Sequence, residues 1–467
     1  MNANKPEMAE YPVEVDRLRV GVFIRLQGIK WFKHPFFFSN FKISKQGQID
    51  VLRSIGIKSV ICVPEKSDVL PLQPERIKSS PPIPQAPPAG VDTQTQNLWQ
   101  LKQERIELNK ERRAKAEQCE VQYQASVETV KNIMQNIETA PQETFAEADK
   151  LLKNIVETLM SDIDVAVQLM NTRIEQEDTL FHSLNVSVLS MMLGKEYGFD
   201  SESLRVLGLG ALFHDVGKNS IPMNIIGRKN LSSPERRFMR LHPKYGVDIL
   251  SKVAGFPPEA VTLVYQHHER SDGQGYPLGL QNEKIALFAK IASIVNTYDN
   301  HCNKLDYQES LTPYEALAYM FSVQSEMFDK DLLSLFIHCL GVYPPGTIVK
   351  LSNGNVGMVV SVEATGPLQP NLVLYDPEIP KKEALIIALK EEPNLYIEGS
   401  IRPTALPRNI YDYLSPNTRV TYYVNEAISR TENTKKSKEV GSNDSIKNDT
   451  TQVDRLKSES AQENISN

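Results

Sequence analysis

The chain has 467 residues, 40% hydrophobic and 24% charged, with a net charge of −6. That length exceeds one core and calls for two to four domains, and the balance lacks the basic footprint of a nucleic-acid-polymer binder. No apolar run of about 18 residues and no basic-then-apolar leader is found, so the expectation is no membrane span and a cytoplasmic protein. Cys62, Cys119, Cys302 and Cys339 are widely spaced without a CxxC pair, which argues against a disulfide framework or a thiolate zinc site.

In chain order, residues 11–63 read as a small α/β unit. "RVGVFIRL" and "SVICVP" have strand patterns, and "KQGQIDVLRSIGI" between them has helical spacing at Ile49, Leu52 and Ile55. The aromatic run "WFKHPFFFSNF" is expected to be core, with a partner surface as the alternative. Residues 64–98 hold the proline-rich "SSPPIPQAPPAG" and read as an extended linker. The following stretch, to about residue 135, is charged and helix-favouring, too sparse in apolar a/d positions for a coiled coil, and is expected to be a solvated helix.

From about 142 to 340 the pattern is helical almost throughout. Phe145, Ala148, Leu152, Ile155, Leu159, Ile163 and Val167 recur every three or four residues, and similar faces follow through Tyr298. A bundle of about seven helices is predicted. After "GVYPPG" the period shortens: "TIVKLSNGNVGMVVSVEA", "NLVLYD" and "RVTYYV" read as strands with Asn-Gly turns. Residues 430–467 are polar, with little apolar content, and are expected to be disordered.

Five of the eight histidines, His182, His214, His242, His267 and His268, fall on or at the ends of these helical patterns. One such histidine is ordinarily a core or surface residue; five in one bundle, with Asp215 directly after His214, point to a metal centre. Imidazole with carboxylate suits iron, manganese or a related divalent ion better than calcium or magnesium. An aspartate beside a histidine can bridge two ions roughly 3.5–4 Å apart, an arrangement that clamps a phosphate. Lys218, one turn on, is placed to reach a non-bridging phosphate oxygen.

"HDVGK", "LHPKYGVDIL" and "HHERSDGQGYPLGL" closely resemble the ordered motifs of the HD-GYP family of bacterial cyclic-di-GMP phosphodiesterases, over roughly residues 175–340. The first fifty residues resemble the accessory domain often found ahead of that catalytic unit. Residue patterns and resemblance together give a multidomain chain: an N-terminal α/β domain at 1–63, the linker at 64–98 and a charged connecting helix at 99–141. An all-α HD-type bundle at 142–340, a small β-rich appendage at 341–429 and a tail at 430–467 complete it. The resemblance implies His182, His214, Asp215, His242, His267 and His268 as ligands of two divalent ions. Asp178 stands where members with a third ion carry glutamate. Asp215 and Lys218 take the catalytic roles; Lys218 meets the scissile phosphate and, with Arg270, Gly275, Tyr276 and Pro277, forms the substrate-binding set. The loop ending in "GYP" is expected to close over the dinucleotide and to present a surface to a GGDEF-type diguanylate cyclase.

One position departs from the family. Where it reads V-x-D-x-Y/F-D, this chain reads "IVNTYDN", with Asn296 at the ligand position and Asp299 at the second aspartate. An amide oxygen coordinates without bringing charge. Two expectations therefore stand beside each other: hydrolysis of cyclic-di-GMP to pGpG, on to GMP in some members, or a catalytically weak module that binds the dinucleotide or docks to a cyclase. A third, an HD-type phosphohydrolase acting on other nucleotides or ppGpp, is opposed by the "HHExxDGxGYP" loop.

Overall fold

Short strands open the fold. The computed structural model describes residues 9–73, 91–161, 165–170, 178–226, 228, 230–304, 306–363, 369–392, 394–414 and 420–426. Strands Tyr11–Glu14 (β1), Phe23–Arg25 (β2), Asn40–Lys42 (β3) and Ser59–Cys62 (β4), with helix Gln46–Ser54 (α1), make up the first region. A 46-residue helix, Val91–Asn136 (α2), follows. Helix Pro141–Met160 (α3), strand Val165–Leu169 (β5) and helices Asp178–Tyr197 (α4), Ser201–Leu212 (α5), Ser233–Met239 (α6), His242–Leu250 (α7) and Pro258–Gln266 (α8) come next. Then come Leu287–Cys302 (α9), Pro313–Ser322 (α10) and Lys330–Leu340 (α11). The last elements are strands Ile348–Leu351 (β6), Val356–Glu363 (β7), Asn371–Leu374 (β8), Ile386–Ala388 (β9) and Ile397–Ile401 (β10), helix Arg408–Leu414 (α12) and strand Tyr422–Glu426 (β11). No helix among the described residues is long and apolar enough to cross a membrane.

The chain divides into two units. One comprises residues 1–115, 348–358 and 372–415. Its four-stranded antiparallel sheet runs β1-β4-β2-β3, with Tyr11 and Ile24 both opposite Cys62. Val13, Ile24, Ile43, Ile49 and Leu52 are buried on it, which gives α1 its single apolar face. The aromatic run behaves as core: Trp31 and Phe36 are buried. Lys102 of α2 is buried against that run and donates to the carbonyls of His34 (2.7 Å) and Phe36 (3.1 Å), with its ammonium 3.8 Å from the centre of the Trp31 ring. In the same unit β6 pairs antiparallel with β10 and with the start of β7.

The other unit comprises residues 116–347, 359–371 and 416–467, and is the helical one. Its core is built on α3, α4, α5, α8 and α9, with Leu152, Leu184, Leu209, Val264 and Ile294 fully buried. The fold is thus a mostly helical bundle with a small N-terminal sheet domain and C-terminal strands.

Several local expectations are corrected. Val167 is not helical: α3 ends at Met160 and Val167 lies in β5, while Ile163 falls outside the described residues. The charged helix is not simply solvated, since Cys119, Tyr123, Val127, Val130 and Ile133 of α2 are buried in the helical unit's core. Helix starts at Val91, inside the stretch expected to be linker; the proline-rich part and the polar tail lie outside the described residues. Strand β11 pairs antiparallel with β5, Tyr422 opposite Leu169, and the far end of β7 lies on the other side of β5. The end of the expected β appendage is therefore built into the helical unit.

Candidate metal centre

Each histidine reaches the site from a helix end or the facing turn of a neighbour. α5 starts on an Asp200 cap, whose carboxylate accepts from the Ser203 amide at 2.8 Å. The helix stops at Leu212, leaving His214 and Asp215 in the turn beyond. The next turn, Val216–Ser220, lies against α7, and Gly217 permits the approach: a Cβ there would sit 2.0 Å from the His242 carbonyl oxygen. α8 ends at Gln266 and delivers His267 and His268.

The tautomers are set by backbone carbonyls one turn back. His214 Nδ1 donates to Ala211 (2.7 Å), His242 Nδ1 to Met239 (2.8 Å) and His267 Nδ1 to Val264 (2.7 Å). His182 Nδ1 donates to the Asp299 carboxylate at 2.6 Å. Every one of these rings therefore turns a bare Nε2 lone pair inward. The bare atoms meet in two pairs: His182 faces His214 at 3.1 Å, and His242 faces His267 at 3.2 Å. Two acceptors at that distance repel unless a cation lies between or beside them.

Asp215 joins the pairs. Its Oδ1 lies 3.3 Å from His242 Nε2 and 3.8 Å from His267 Nε2; its Oδ2 lies 3.4 Å from His214 Nε2 and 3.7 Å from His182 Nε2. Oδ1 is buried without a hydrogen-bond partner. The donor atoms form two tight sets, Asp215 with His242, His267 and His268, and Asp215 with His182 and His214, each within 4.8 Å. An orphaned carboxylate oxygen among bare imidazole nitrogens is the donor set of a divalent-ion site, with Asp215 common to both halves.

Electrostatics agree. Burial alone would raise the Asp215 carboxyl, but the Lys218 ammonium, which donates to Oδ2, and the His214 and His242 rings hold it well below the usual carboxylate range. Burial, then the neighbouring His268, His214 and His242 rings, pushes His267 far down; burial and His242 do the same to His268. Both rings are therefore neutral at pH 7, the form that can ligate a metal.

The cluster forms part of the wall of a cavity of about 570 Å³, into which Lys218, Tyr276 and Asp299 also face. That volume is ordinary for a small-molecule site. Tyr276 stacks on His268, ring centres 4.5 Å apart, and Arg240 lies over the tyrosine's ring at 5.0 Å. Glu269, buried, accepts from the Leu278 and Leu280 amides at 2.6 and 2.8 Å and ties the loop down. Gly275 is required where it stands, because a Cβ would lie 2.4 Å from the Arg270 nitrogen.

Not every predicted site residue is brought in. Arg270 is engaged by Asp272, and neither it, Gly275 nor Pro277 is among the residues lining the cavity. Asn296 is buried in α9, and its carbonyl oxygen accepts from Asn300 at 2.6 Å. Asp178 opens α4, and its side chain lies outside the described residues. What sequence reasoning missed is the support: Asp299 as the partner of His182, and Asn185 and Asn303, which donate to Asp299 Oδ1 at 2.7 and 3.0 Å. Their spacing carried a signal, since Asn185 follows His182 by three residues and Asn303 follows Asp299 by four, each on one helix face.

Residues 155–332 match the family model of the HD domain, and residues 12–148 that of a domain of unknown function (DUF3391). The chain is 27% identical over 367 residues to the "Cyclic di-GMP phosphodiesterase PA4108" of Pseudomonas aeruginosa, covering 78% of this chain and 84% of that one. It is 32% identical over 146 residues to the "Cyclic di-GMP phosphodiesterase response regulator RpfG" of Xanthomonas campestris pv. campestris, 31% and 39% of the two chains. It is 30% identical over 168 residues to the "3'3'-cGAMP-specific phosphodiesterase 1" of Vibrio cholerae, 35% and 38%. The chain thus spans most of the first relative's length and about two-fifths of the other two.

Proposed function

We propose, from the premise that the chain is an HD-domain protein carrying the DUF3391 domain ahead of its HD domain, that it is a metal-dependent phosphodiesterase opening cyclic di-GMP to linear pGpG. The observation that carries this is the pair of facing Nε2 couples joined by Asp215, of which His182, His242 and Asp215 line a nucleotide-sized cavity. His182 and His214 would hold one ion and His242, His267 and His268 the other, with Asp215 shared. Iron or manganese suits these donors best. Bound there, the ions would neutralise phosphodiester charge and acidify the attacking water.

The chain's own groups do the rest. Asp299 keeps the His182 proton on Nδ1. Lys218, 33% exposed at the cavity wall, donates to a non-bridging phosphate oxygen as charge builds. The water oxygen forms the new bond to phosphorus, the bond to the 3′ oxygen breaks, and that oxygen leaves with a proton as the free hydroxyl. Tyr276 offers its ring as one wall for a base. Arg270, Gly275 and Pro277 act by shaping the loop, and Leu278, 56% exposed on it, supports a surface for a diguanylate cyclase. The reaction is assigned to the cytoplasm, in keeping with four free, buried cysteines. The catalytic bundle at 142–340 belongs to the same proposal, joined by β11, which pairs with β5.

The second function, binding without turnover, is favoured by Asn296, whose carbonyl is occupied by Asn300. Incubating metal-analysed protein with cyclic di-GMP, 3'3'-cGAMP and cyclic di-AMP, with products separated chromatographically, decides between them. Release of pGpG is the expected result. Tight binding of cyclic di-GMP without product would favour the module, and preferential cleavage of 3'3'-cGAMP would reassign the substrate.

A further inference from the structure

The carboxylate that orients His182 is itself held by a segment more than a hundred residues further along the chain. Asn185 Nδ2 donates both to Asp299 Oδ1 (2.7 Å) and to the Val420 carbonyl (2.9 Å), while its Oδ1 accepts from the Tyr422 amide at 2.8 Å. Asn303 Nδ2 donates to Asp299 Oδ1 (3.0 Å) and to the same Val420 carbonyl (2.8 Å), and its Oδ1 accepts from the Val420 amide at 2.7 Å. Two side chains thus read the backbone of residues 420–422 and grip one oxygen of Asp299 at once. Asn185, Asp299 and Tyr422 are buried.

The segment is anchored on both sides of this grip. Tyr422 Oη lies 2.7 Å from Tyr298 Oη, next in sequence to Asp299, and donates to the Pro345 carbonyl at 3.2 Å. Tyr423 Oη is 2.9 Å from Ser126 Oγ. The Met170 amide donates to the Thr421 carbonyl at 2.9 Å, where β11 joins β5. Thr421 itself lines the cavity. Such a fully satisfied buried network fixes one arrangement, because each member displaced leaves another unpaired.

We infer that residues 420–423 are a strap belonging to the reaction centre, and that Asn185 and Asn303 are positioning residues that convert the strap's placement into the orientation of the Asp299–His182 pair; this rests on taking the histidine clusters as metal sites. The ion on the His182 side depends on the strap, and the ion on the His242 side does not.

The test uses full-length protein stripped with chelator and titrated with Mn²⁺ alone, free ion being followed by its paramagnetic resonance signal. Wild type is expected to bind two ions per chain. Asn185→Asp and Asn303→Asp keep side-chain size but set an oxygen against Asp299 Oδ1. Each is expected to weaken one ion by about 10–100-fold, the usual cost of an outer partner, and leave the other unchanged. Val420→Pro removes the amide that Asn303 accepts, far in sequence from any ligand, and is expected to act in the same sense. In turnover assays the three should lower kcat with little change in KM. Should Asn185→Asp fail to fold at its buried position, the other two decide. Wild-type affinity for both ions in Asn303→Asp and Val420→Pro overturns the strap and leaves the proposed function standing. Failure of wild type to bind Mn²⁺ overturns both.

Discussion

Four imidazoles that present lone pairs to one another in facing couples, with a carboxylate oxygen lacking any donor between them, are unfavourable in the absence of a cation, and the chain specifies this through ordinary backbone hydrogen bonds. Removing the bridge should remove the site: Asp215→Asn, of equal size, is expected to lose both ions by elemental analysis and all hydrolysis. Lys218 differs, because it contacts Asp215 yet is no ligand. Lys218→Ala is expected to keep its metal and slow kcat by about 10²–10³, the effect of losing one charge-stabilising donor; single-turnover rates at saturating substrate measure it. A buried histidine elsewhere makes a pH prediction. His34 is fully buried, neither ring nitrogen has a hydrogen-bond partner, and burial, then the Lys102 charge, lowers it to about 3. Its unfolded form takes up a proton below about pH 6.5 while its folded form does not, so stability falls as pH drops from about 6.5 towards 3, by at most about 1.4 kcal/mol per pH unit. His34→Leu should flatten that slope. Trp31 and Trp99, the chain's two tryptophans, both lie in the N-terminal unit, so fluorescence-detected urea midpoints at several pH values report on it.

At the scale of elements, the helices α4, α5, α7, α8 and α9 were legible because each is long enough to show a 3.6-residue apolar period, and the ligands stand at their ends or on one face. The strands β1, β3 and β5 were not. They span three to five residues, too short for an alternation to separate from chance, and β5 continues the apolar spacing of α3 so smoothly that Val167 passed for helix. Asn296 was legible as a departure but not as a contact: whether its carbonyl turns to a neighbour one helical turn on or to the cluster is decided by packing. The loop after α8 shows the same limit. Its glycines could be read, but not that Glu269 fastens it from beneath. Gly275→Ala should displace that loop, since the added Cβ meets Arg270 and Glu269 backbone atoms. A loss of about 10²-fold in kcat/KM is expected, typical of misplacing a site by about an ångström; steady-state kinetics with metal content checked alongside give the measurement.

For the whole molecule, the two units should answer differently to chelation. Ions that bind only the folded state add about 2.7 kcal/mol per site at a hundredfold excess over Kd. Chelator should therefore lower the calorimetric melting temperature of the helical unit, while the tryptophan-reported transition of the N-terminal unit stays in place; a common shift would show that the units unfold together. The organisation into units was only partly visible in sequence, since it depends on pairings between distant segments, β5 with β11 above all, and no local pattern encodes them. That pairing bears on how the protein is made. A ribosome extends a chain by roughly 5–20 residues each second, and β11 follows the end of α11 by about 80 residues. For roughly 4–16 s after the last bundle helix is synthesised, a nascent chain carries all five clustered histidines but lacks the backbone that Asn185 and Asn303 bind beside Asp299; the inferred strap then predicts that the His182 half of the centre matures only late in translation.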